Sequence, residues 1–389
     1  MAAGNDGPGT AEAKASDGAD FSNRASYRIA VFEGDGIGPE VMAPTLQLLR
    51  SIAAEAKSYR LDFTSLPAGA GLYRDSGEAL PGESVETARQ ADAILLSAMG
   101  LPGVRYPDGT EIAPQIDLRM IFGLYAGVRP VFIRPGQNSP LKCAEQEGAD
   151  FVLIRESTEG LFASHKAGEL IEDREARETL RITRGVSEKL FDFSFALAEE
   201  RLASGRGKGL VTCVDKANVF QAFAFFRKIF EERAAGFPAI RAESGYVDAI
   251  AMKMVQDPGS FDVMVTENMF GDILSDLGAG LMGSLGLAPS ADIGDAHAVF
   301  QPCHGTAPDI AGQGKANPLA MILSAGMMLD WLGQRHGEPE MRQQAERLRQ
   351  ATLASLDEAR VRTADLGGTA TTEAVAMAVE AAYAAQARG

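Results

Sequence analysis

The amino-acid sequence predicts an α/β fold built on a largely parallel sheet. Short apolar runs rich in β-branched residues and leucine alternate with helix-length segments along most of the chain. These runs are almost continuously apolar, as expected for strands that are covered by helices on both faces of a sheet. With 389 residues, the chain is long enough to form two domains.

The first predicted strand covers residues 27–34, and Pro39 then opens an amphipathic helix. Further strands are predicted over residues 91–100, 149–157, 208–217 and 261–269. Near the end of the chain, two segments have the pattern of helices, at residues 334–350 and 371–385. The segment 169–184 is more polar, and we expect it to form an exposed arm.

Composition and charge exclude several classes of function. Lysine and arginine number 37 against 53 aspartates and glutamates, which gives a formal net charge of −16. This charge is unsuited to nucleic acid or an anionic membrane surface, and no apolar stretch is long enough to span a membrane.

The three cysteines are far apart without a CxxC pair, which predicts reduced thiols and a cytoplasmic location. The first 26 residues lack the apolar core of a signal peptide and are predicted to be a disordered tail.

Two carboxylates four residues apart suggest a metal site. Asp272 and Asp276 follow an apolar strand and begin a predicted helix, so this spacing places both on one helical face. Because like charges at this spacing repel, the pair calls for a cation, and oxygen ligands favour Mg²⁺ or Mn²⁺ over zinc. Asp248, in the sequence GYVDAI, is a candidate third acid. A solvated acidic edge would be the commoner explanation of an isolated DxxxD.

Basic residues provide candidates for substrate binding and for catalysis. Arg119, Arg129 and Arg155 lie at predicted strand or loop ends. A cluster of guanidinium groups suits a di- or tricarboxylate because each binds a carboxylate through two hydrogen bonds, although structural ion pairs would equally explain any one of them. Lys216 follows the apolar run LVTC and could act as a base if a nearby metal lowered its pKa; a surface lysine is the alternative.

Two loops could hold a cofactor. The turn at residues 34–38, GDGIG, could offer backbone N–H groups to a phosphate or carboxylate, or could serve packing alone. Residues 304–318 are mostly small residues and turn formers, which is typical of a loop that a ligand approaches closely. Within it, Asp309 could accept hydrogen bonds from both hydroxyls of an adenosine ribose. A carboxylate there would repel a 2′-phosphate, which favours NAD over NADP.

Six motifs, taken in chain order, resemble those of the β-decarboxylating dehydrogenase family. They are GDGIGPE, LR…VRP, RESTEG, VDKANV, YVDA…GDILSD and HGTAPDIAGQGKANP. That family includes isopropylmalate, isocitrate, homoisocitrate and tartrate/D-malate dehydrogenases, and the isopropylmalate branch is the most similar in VDKANV and HGTAPDIAG. The resemblance implies a two-domain α/β fold that differs from an ordinary Rossmann domain. Residues 27–124 with 283–389 would form the cofactor-binding large domain. Residues 125–282 would carry the substrate, metal and dimer contacts, with an arm near residues 163–190.

The resemblance also implies roles for individual residues. Lys216 would be the catalytic base and would act, with Asp248, in the partner's active site, so that the chain forms a homodimer with shared sites, or a tetramer. The metal ligands for Mg²⁺ or Mn²⁺ would be Asp248, Asp272 and Asp276. The substrate would contact Gln115, Ile116, Arg119, Arg129, Arg155 and Phe162. NAD would contact His304, Gly305, Thr306, Ala307, Asp309, Ile310 and Asn317.

One departure from the family pattern concerns the last step of the reaction. The tyrosine that usually ends RExTEGxY and donates a proton is Phe162 here, and a phenyl ring has no proton to give. Either a substitute acts, such as Ser164, His165, Tyr125 or water, or the final protonation is slower. Loss of one positioned acid or base typically slows a reaction about 10²–10⁴-fold.

A second departure concerns the substrate. Gln115 replaces one leucine of the LLxLR stretch that gives isopropylmalate enzymes an apolar pocket, and a buried amide without a partner would cost about 1–3 kcal/mol. Gln301 stands where FEP or FEA usually places a glutamate.

The predicted function is NAD- and Mg²⁺/Mn²⁺-dependent oxidation, with decarboxylation, of a 3-substituted 2-hydroxy dicarboxylic acid. Its substrate would be either 3-isopropylmalate-like or a polar analogue such as tartrate, D-malate or isocitrate. The alternative is a non-catalytic regulatory subunit of such an enzyme.

Overall fold

A computed structural model describes residues 25–135, 137, 139–141, 148–164 and 167–386. The tail predicted over residues 1–26 lies outside the described residues, except for Ala25 and Ser26, which begin the first strand. Cys143 and His165 also lie outside them. None of the described helices is long and apolar enough to cross a membrane.

Strands alternate with helices through most of the described chain. The strands are β1 (Ala25–Phe32), β2 (Tyr59–Ser65), β3 (Ala93–Leu96), β4 (Ala126–Ile133), β5 (Ala149–Glu156), β6 (Glu169–Ile171), β7 (Glu175–Arg177), β8 (Leu210–Asp215), β9 (Arg241–Tyr246), β10 (Val263–Thr266), β11 (Pro289–Ile293) and β12 (Ala298–Pro302). The first run predicted as a strand overlaps β1, which begins two residues earlier, and the other four contain β3, β5, β8 and β10.

The helices pack on both faces of the sheet. They are α1 (Gly38–Glu55), α2 (Ala70–Ser76), α3 (Gly82–Arg89), α4 (Pro114–Ile121), α5 (Arg184–Ala203), α6 (Gln221–Ala234), α7 (Val247–Gln256), α8 (Asn268–Met282), α9 (Leu319–His336), α10 (Pro339–Ser355) and α11 (Thr372–Gln386). The helix predicted from Pro39 is α1, and the one predicted over residues 371–385 is α11.

Ten strands form one mixed sheet in the order β2-β1-β3-β12-β11-β4-β5-β10-β8-β9. Neighbouring strands are parallel except around β4 and β11, which pair antiparallel with each other, and also with β5 and β12 respectively. Side chains of β1 alternate between two apolar cores: Ile29 and Val31 face one, and Ala30 and Phe32 face the other. The predicted α/β fold, with a largely parallel sheet buried on both faces, is therefore confirmed.

The sheet divides in sequence at its middle. The five strands from β2 to β11 come from residues 25–124 and 283–389, and the five from β4 to β9 come from residues 125–282. This arrangement agrees with the two segments proposed as domains, but the assignment of two separate domains stays a prediction. Many of the predicted site residues lie near the place where the two sets of strands meet, between β11 and β4.

Two predicted elements differ in detail. The helix predicted over residues 334–350 is wrong, because α9 ends at His336 and α10 begins at Pro339. Gly337 ends α9 in the left-handed conformation, with φ 66°, and Pro339 then fits the first turn of a new helix. The arm is an exposed hairpin of β6 and β7, and α5 begins at Arg184, so the arm is shorter than residues 163–190.

Candidate active site

A cleft of about 200 Å³ lies beside the middle strands of the sheet. Its walls include residues of β3, β12, β11, β4 and β5, which are successive neighbours in the sheet. The cleft brings together many of the predicted site residues, namely Gln115, Arg119, Arg129, Arg155, Asp272, Asp276, His304 and Gly305. Ile116, Phe162, Lys216, Asp248 and the rest of the predicted cofactor residues are not part of its lining.

Arg119 and Arg129 share one buried carboxylate, that of Asp292. Arg119, in the last turn of α4, donates from Nε to Asp292 Oδ2 at 3.1 Å. Arg129, on β4, donates from Nη2 to Asp292 Oδ1 at 2.9 Å, and from Nη1 to the carbonyl of Ala291. Gln301 completes the set by donating to Asp292 Oδ2 at 2.7 Å. The two guanidinium groups are thus fixed at the wall of the cleft by a single acid.

The charge of Asp292 is maintained by its neighbours. Burial by itself would raise the pKa of this carboxyl, but the charges of Arg119 and Arg129 lower its pKa to about 2. Asp292 in turn raises the pKa of Arg129, against the effect of burial. Both groups are therefore ionised at neutral pH.

Arg155 stands at the end of β5 and is held by residues of α8. Its Nε donates to Asn268 Oδ1 at 2.9 Å, and its Nη1 forms an ion pair with Asp272. Burial, followed by the like charge of Arg119, lowers the pKa of Arg155 to about 10. Three guanidinium groups thus converge on one cleft, as required for binding a substrate with more than one carboxylate.

A glycine allows α8 to lie directly on Arg155. The Cβ of any larger residue at Gly271 would come within 2.6 Å of Arg155 Cγ and 2.7 Å of Arg155 Cβ. Glu267 caps the start of the helix, because its carboxylate accepts hydrogen bonds from the N–H groups of Met269 and Phe270. Close packing and a defined helix start together fix the position of Asp272, the residue after Gly271.

Asp272 and Asp276 lie one turn apart on α8, as predicted, and their arrangement suits a cation. Burial and then the negative charge of Asp272 raise the pKa of Asp276 above its ordinary value. About half of the Asp272 side chain is exposed, at 49%, so its oxygens are accessible from the cleft. Two carboxylates that repel each other beside an open cleft fit a hard divalent ion such as Mg²⁺ or Mn²⁺.

Lys216 and Asp248 form a separate pair away from this cleft. Lys216 follows β8, Asp248 is in the first turn of α7, and their side chains are joined by an ion pair that lowers the pKa of Asp248. Among the described residues, no group of three acids, cysteines or histidines is close enough to hold a metal ion. A single chain therefore brings Asp272 and Asp276 together but does not add Asp248 to them.

The GDGIG turn packs against the loop that begins at His304. Ile37 N–H donates to the carbonyl of Thr306 at 2.8 Å, and a Cβ at Gly36 would come within 2.1 Å of that same oxygen. Asp35 does not face a ligand, because its carboxylate accepts hydrogen bonds from the N–H groups of Ala70, Gly71 and Gly100. These contacts favour the packing role of this turn over a phosphate-binding role.

The same loop is anchored to the helices around it. Glu40, in α1, accepts hydrogen bonds from the N–H groups of Gly312 and Ala316 and from the hydroxyl of Thr372. Asn317, at the end of the loop, donates to Asp365. These bonds fix both the middle and the end of the predicted cofactor loop, which is what binding a large cofactor in one orientation would require.

Two side chains of this loop are suited to a cofactor. His304 Nε2 is buried without a hydrogen-bond partner among the described residues, and burial lowers the pKa of this imidazole. Asp309 is exposed on the loop, and Ile310 follows it. An orphaned ring nitrogen and an accessible carboxylate are polar groups that a bound dinucleotide could satisfy.

Comparison with known proteins identifies the family. Residues 28–379 match the family model described as isocitrate/isopropylmalate dehydrogenase. The chain belongs to this family. The 3-isopropylmalate/3-methylmalate dehydrogenase of Methanocaldococcus jannaschii is 43% identical over 343 residues, which cover 88% of this chain and 94% of that protein. The isocitrate/homoisocitrate dehydrogenase of Thermus thermophilus is 40% identical, over 91% of this chain and 98% of that protein.

Solved structures of the isocitrate/isopropylmalate dehydrogenase family share the fold. Isocitrate dehydrogenase from Methylococcus capsulatus superposes with a TM-score of 0.77 at 32% identity, covering 92% of this chain and 99% of that chain. The β-decarboxylating dehydrogenase of Thermococcus kodakarensis, in its apo form, gives a TM-score of 0.75 at 33% identity, covering 93% of this chain and 97% of that one. The predicted family and its fold are therefore confirmed.

Phe162, the departure from the family's tyrosine, lies next to the arginine cluster. Its ring is 5.2 Å from the guanidinium carbon of Arg155. Of the residues considered as substitute proton donors, Ser164 donates to the carbonyl of Leu161 and to Glu178. The ring of Tyr125 is 5.8 Å from the ammonium group of Lys189, which pairs with Asp295 outside the cleft. Ser164 is therefore engaged by Glu178, and the identity of the replacement donor stays a prediction.

Asp292 and Glu40 were not found from the sequence, although they position much of the site. Asp292 lies in the apolar-looking run PSADIG, and its partners Arg119 and Arg129 are 173 and 163 residues away. Asp292 could have been identified from the sequence as a charged residue within a buried strand, because such a residue requires a partner. Glu40 could have been noted as an acid in the first turn of a helix next to the GDGIG turn.

Proposed function

We propose that the protein catalyses the oxidation of a 3-substituted 2-hydroxy dicarboxylic acid, with loss of CO₂, and that it uses NAD and Mg²⁺ or Mn²⁺. The observation that carries this proposal is the convergence of Arg119, Arg129 and Arg155 on the cleft that also exposes Asp272. The family membership supports the same chemistry. Cys213 and Cys303 are free thiols, which supports a cytoplasmic location.

The arginines would hold and orient the substrate's carboxylates. Their pairing with fixed acids keeps each guanidinium in place, so little freedom is lost when the substrate binds. Asp272 and Asp276 would hold the metal ion. When bound, that ion would acidify the C2 hydroxyl and stabilise the negative charge that remains on the substrate after CO₂ leaves. Binding of the ion would also draw Asp272 away from Arg155, whose Nη1 would then be available to the substrate.

The cofactor would lie on the loop that follows β12. His304 and Asp309 have the free polar groups for it, and NAD bound there would accept the hydride from C2. Asp309 has the carboxylate expected to accept hydrogen bonds from an unphosphorylated ribose. NAD is therefore proposed over NADP.

A second copy of the chain would complete the active site. Exposed apolar side chains lie close in the chain to both members of the Lys216–Asp248 pair: Val219 and Phe220 in the turn after Lys216, and Met252 one helical turn after Asp248. Ile273, beside Asp272 on α8, is 62% exposed. An apolar face of this kind is typical of an obligate dimer interface. We propose that it binds the same face of a second copy, which brings the partner's Lys216 and the partner's Asp248 to Asp272 and Asp276.

Mixing two inactive variants tests this shared site. Lys216→Ala and Asp272→Asn would each be inactive alone. In a mixed dimer, the Lys216→Ala chain keeps its Asp272 and receives an intact lysine from the other chain, so one of the two sites works. Random mixing should therefore recover about a quarter of wild-type activity. If Lys216 served the cleft of its own chain, mixing would recover none.

Two groups beside the substrate arginines bear on the 3-substituent. Ser97 Oγ and Gln115 Oε1 are buried polar atoms without a hydrogen-bond partner among the described residues, and both residues line the cleft. A hydroxyl on the substituent could donate to Gln115 Oε1, and a hydroxyl or a carboxylate could accept from the Ser97 hydroxyl, whereas an isopropyl group would leave both unpaired. This observation favours a polar malate analogue over 3-isopropylmalate, although the name of the Methanocaldococcus relative keeps the apolar substrate as the second candidate.

The direct test is NAD⁺ reduction by the purified protein with Mn²⁺ and a panel of acids: 3-isopropylmalate, isocitrate, D-malate, tartrate and homoisocitrate. We expect turnover of at least one acid, and the strongest turnover from one with a polar substituent. Asp272→Asn is the matched control, because asparagine can still accept a hydrogen bond from Arg155 but lacks the charge for the metal; it should be folded and inactive. No turnover by the wild type, together with thermal stabilisation by ligands, would point instead to the non-catalytic subunit, which the family comparisons do not favour.

A further inference from the structure

We propose that Asp292 is a positioning residue for substrate binding: its carboxylate sets the orientation of Arg119 and Arg129, and Gln301 locks the carboxylate in place. The inference rests on the proposed function, because it assigns the two arginines to a carboxylate of the substrate. Asp292 itself is not placed against the substrate. It acts through the two guanidinium groups.

The geometry shows three donors from three elements meeting on one carboxylate. Asp292 lies on β11 in the middle of the sheet, with β12 on one side and β4 on the other, and its side chain is only 1% exposed. Oδ1 accepts from Arg129, and Oδ2 accepts from Arg119 and from Gln301. Because α4, β4 and β12 each supply one donor, a shift in the carboxylate would move both arginines relative to the cleft.

The charges show why one carboxylate is the partner of two guanidinium groups. A buried guanidinium requires a counter-charge, and Asp292 supplies a single negative charge to two positive ones. Asp292, Arg119 and Arg129 together therefore carry one net positive charge. Nη1 of Arg129 is taken up by the carbonyls of Val128 and Ala291, which are neutral. Asp292 thus holds the arginines without neutralising the site that they form for an anion.

The donors that remain point to the same conclusion. Within the described chain, Arg119 donates to Asp292 through Nε alone. Both terminal nitrogens of that guanidinium are thus left for a ligand. A planar fork with two free nitrogens is the geometry that binds a carboxylate through two hydrogen bonds. Gly127, which lies opposite Asp292 in the β4–β11 pairing, leaves room for this arrangement: a Cβ there would come within 3.1 Å of Asp292 Oδ1.

The test exchanges an amide and a carboxylate. Asp292→Asn removes the charge but keeps the shape, and should raise the KM for the acid that the wild type oxidises by about tenfold or more, as expected for weakened bonds to charged groups. The KM for NAD⁺ should stay within about twofold. The double variant D292N/Q301E returns the carboxylate to the neighbouring position, 2.7 Å away across the hydrogen bond, and should recover most of the loss. Gln301→Leu, a milder variant, should raise the KM for the acid several-fold.

A purely structural role predicts different results. D292N would then lower the melting temperature while leaving the KM for the acid unchanged in the folded enzyme, and that result would overturn the proposal. If D292N does not fold, Gln301→Leu decides: an unchanged KM for the acid would overturn the proposal. If the wild type oxidises none of the acids, the proposed function fails, and Asp292 is tested by binding alone. D-malate should then raise the melting temperature of the wild type more than that of D292N, and equal shifts would contradict the role of Asp292.

Discussion

Gly271→Ala is the substitution whose effect follows most directly from the structure. The added Cβ would be 2.6 Å from Arg155 Cγ and 2.7 Å from Arg155 Cβ. Carbon atoms in contact prefer separations of about 3.5–4.0 Å, so α8 must move about 1 Å away from β5. The side chain of Arg155 cannot swing aside to relieve the overlap, because the atoms involved are those nearest its backbone, and its Cα is itself only 3.1 Å away.

The expected loss of activity is larger than the expected loss of stability. Overpacking costs about 1–3 kcal/mol, and the better helix propensity of alanine returns about 1 kcal/mol of that. The net loss in the free energy of unfolding is therefore about 0–2 kcal/mol. The shift of α8, however, moves Asp272 relative to Arg155 by about 1 Å, and misplacement on that scale can lower the rate about 100-fold.

The assay compares kcat/KM with thermal stability for this variant and for Gly280→Ala. Gly280 lies in the same helix, and a Cβ there meets no atom within 4 Å. Gly280→Ala should therefore raise stability by about 1 kcal/mol without changing activity. If Gly271→Ala kept kcat/KM within about threefold of the wild type, the packing of α8 on Arg155 would not be what positions Asp272, and this reasoning would be refuted.

Three other predictions concern single features of the site. Phe162→Tyr should raise decarboxylating turnover by restoring a donor beside Arg155, and a fall in CO₂ release would mean that the pocket requires the phenyl ring. Asp309→Lys with Ile310→Tyr should lower the ratio of kcat/KM for NAD⁺ to that for NADP⁺; an unaltered ratio would remove Asp309 from the ribose contact. Because the pKa of Asp292 falls from 3.8 to about 2 on folding, its ionisation contributes about 2 kcal/mol of stability above pH 4, which is lost as the pH falls toward 2. In urea unfolding, the difference in the free energy of unfolding between wild type and D292N should therefore become smaller below about pH 4. A difference that stayed constant would contradict the lowered pKa of Asp292.

Local features of the site could be predicted from the sequence because they depend on neighbours in the chain. The i, i+4 spacing of Asp272 and Asp276 needs only a helix, and the apolar run before them predicts where that helix starts. The break in the predicted helix over residues 334–350 was also encoded locally, by Gly337 and Pro339, and could have been identified. The motifs then supplied the family, which the comparisons confirm.

The rest depends on contacts between distant parts of the chain. Asp292 becomes the shared partner of two arginines only because β11 pairs with β4 in the middle of the sheet, which no local pattern specifies. Glu40 likewise bonds residues 272 to 332 positions later in the chain. Under the proposed dimer, the absence of Asp248 from the cleft has a different cause, since spacing along one chain contains no information about a second copy.

The most direct test of the account measures NADH and CO₂ in the same reaction, with the acid that supports turnover, before and after removal of divalent metal by a chelator. We predict one CO₂ for each NADH, with both products lost on chelation and both restored by added Mn²⁺. NADH formed without CO₂ would show that oxidation is uncoupled from decarboxylation. NADH formation that persisted without metal would contradict the role given to Asp272 and Asp276, and with it the central claim.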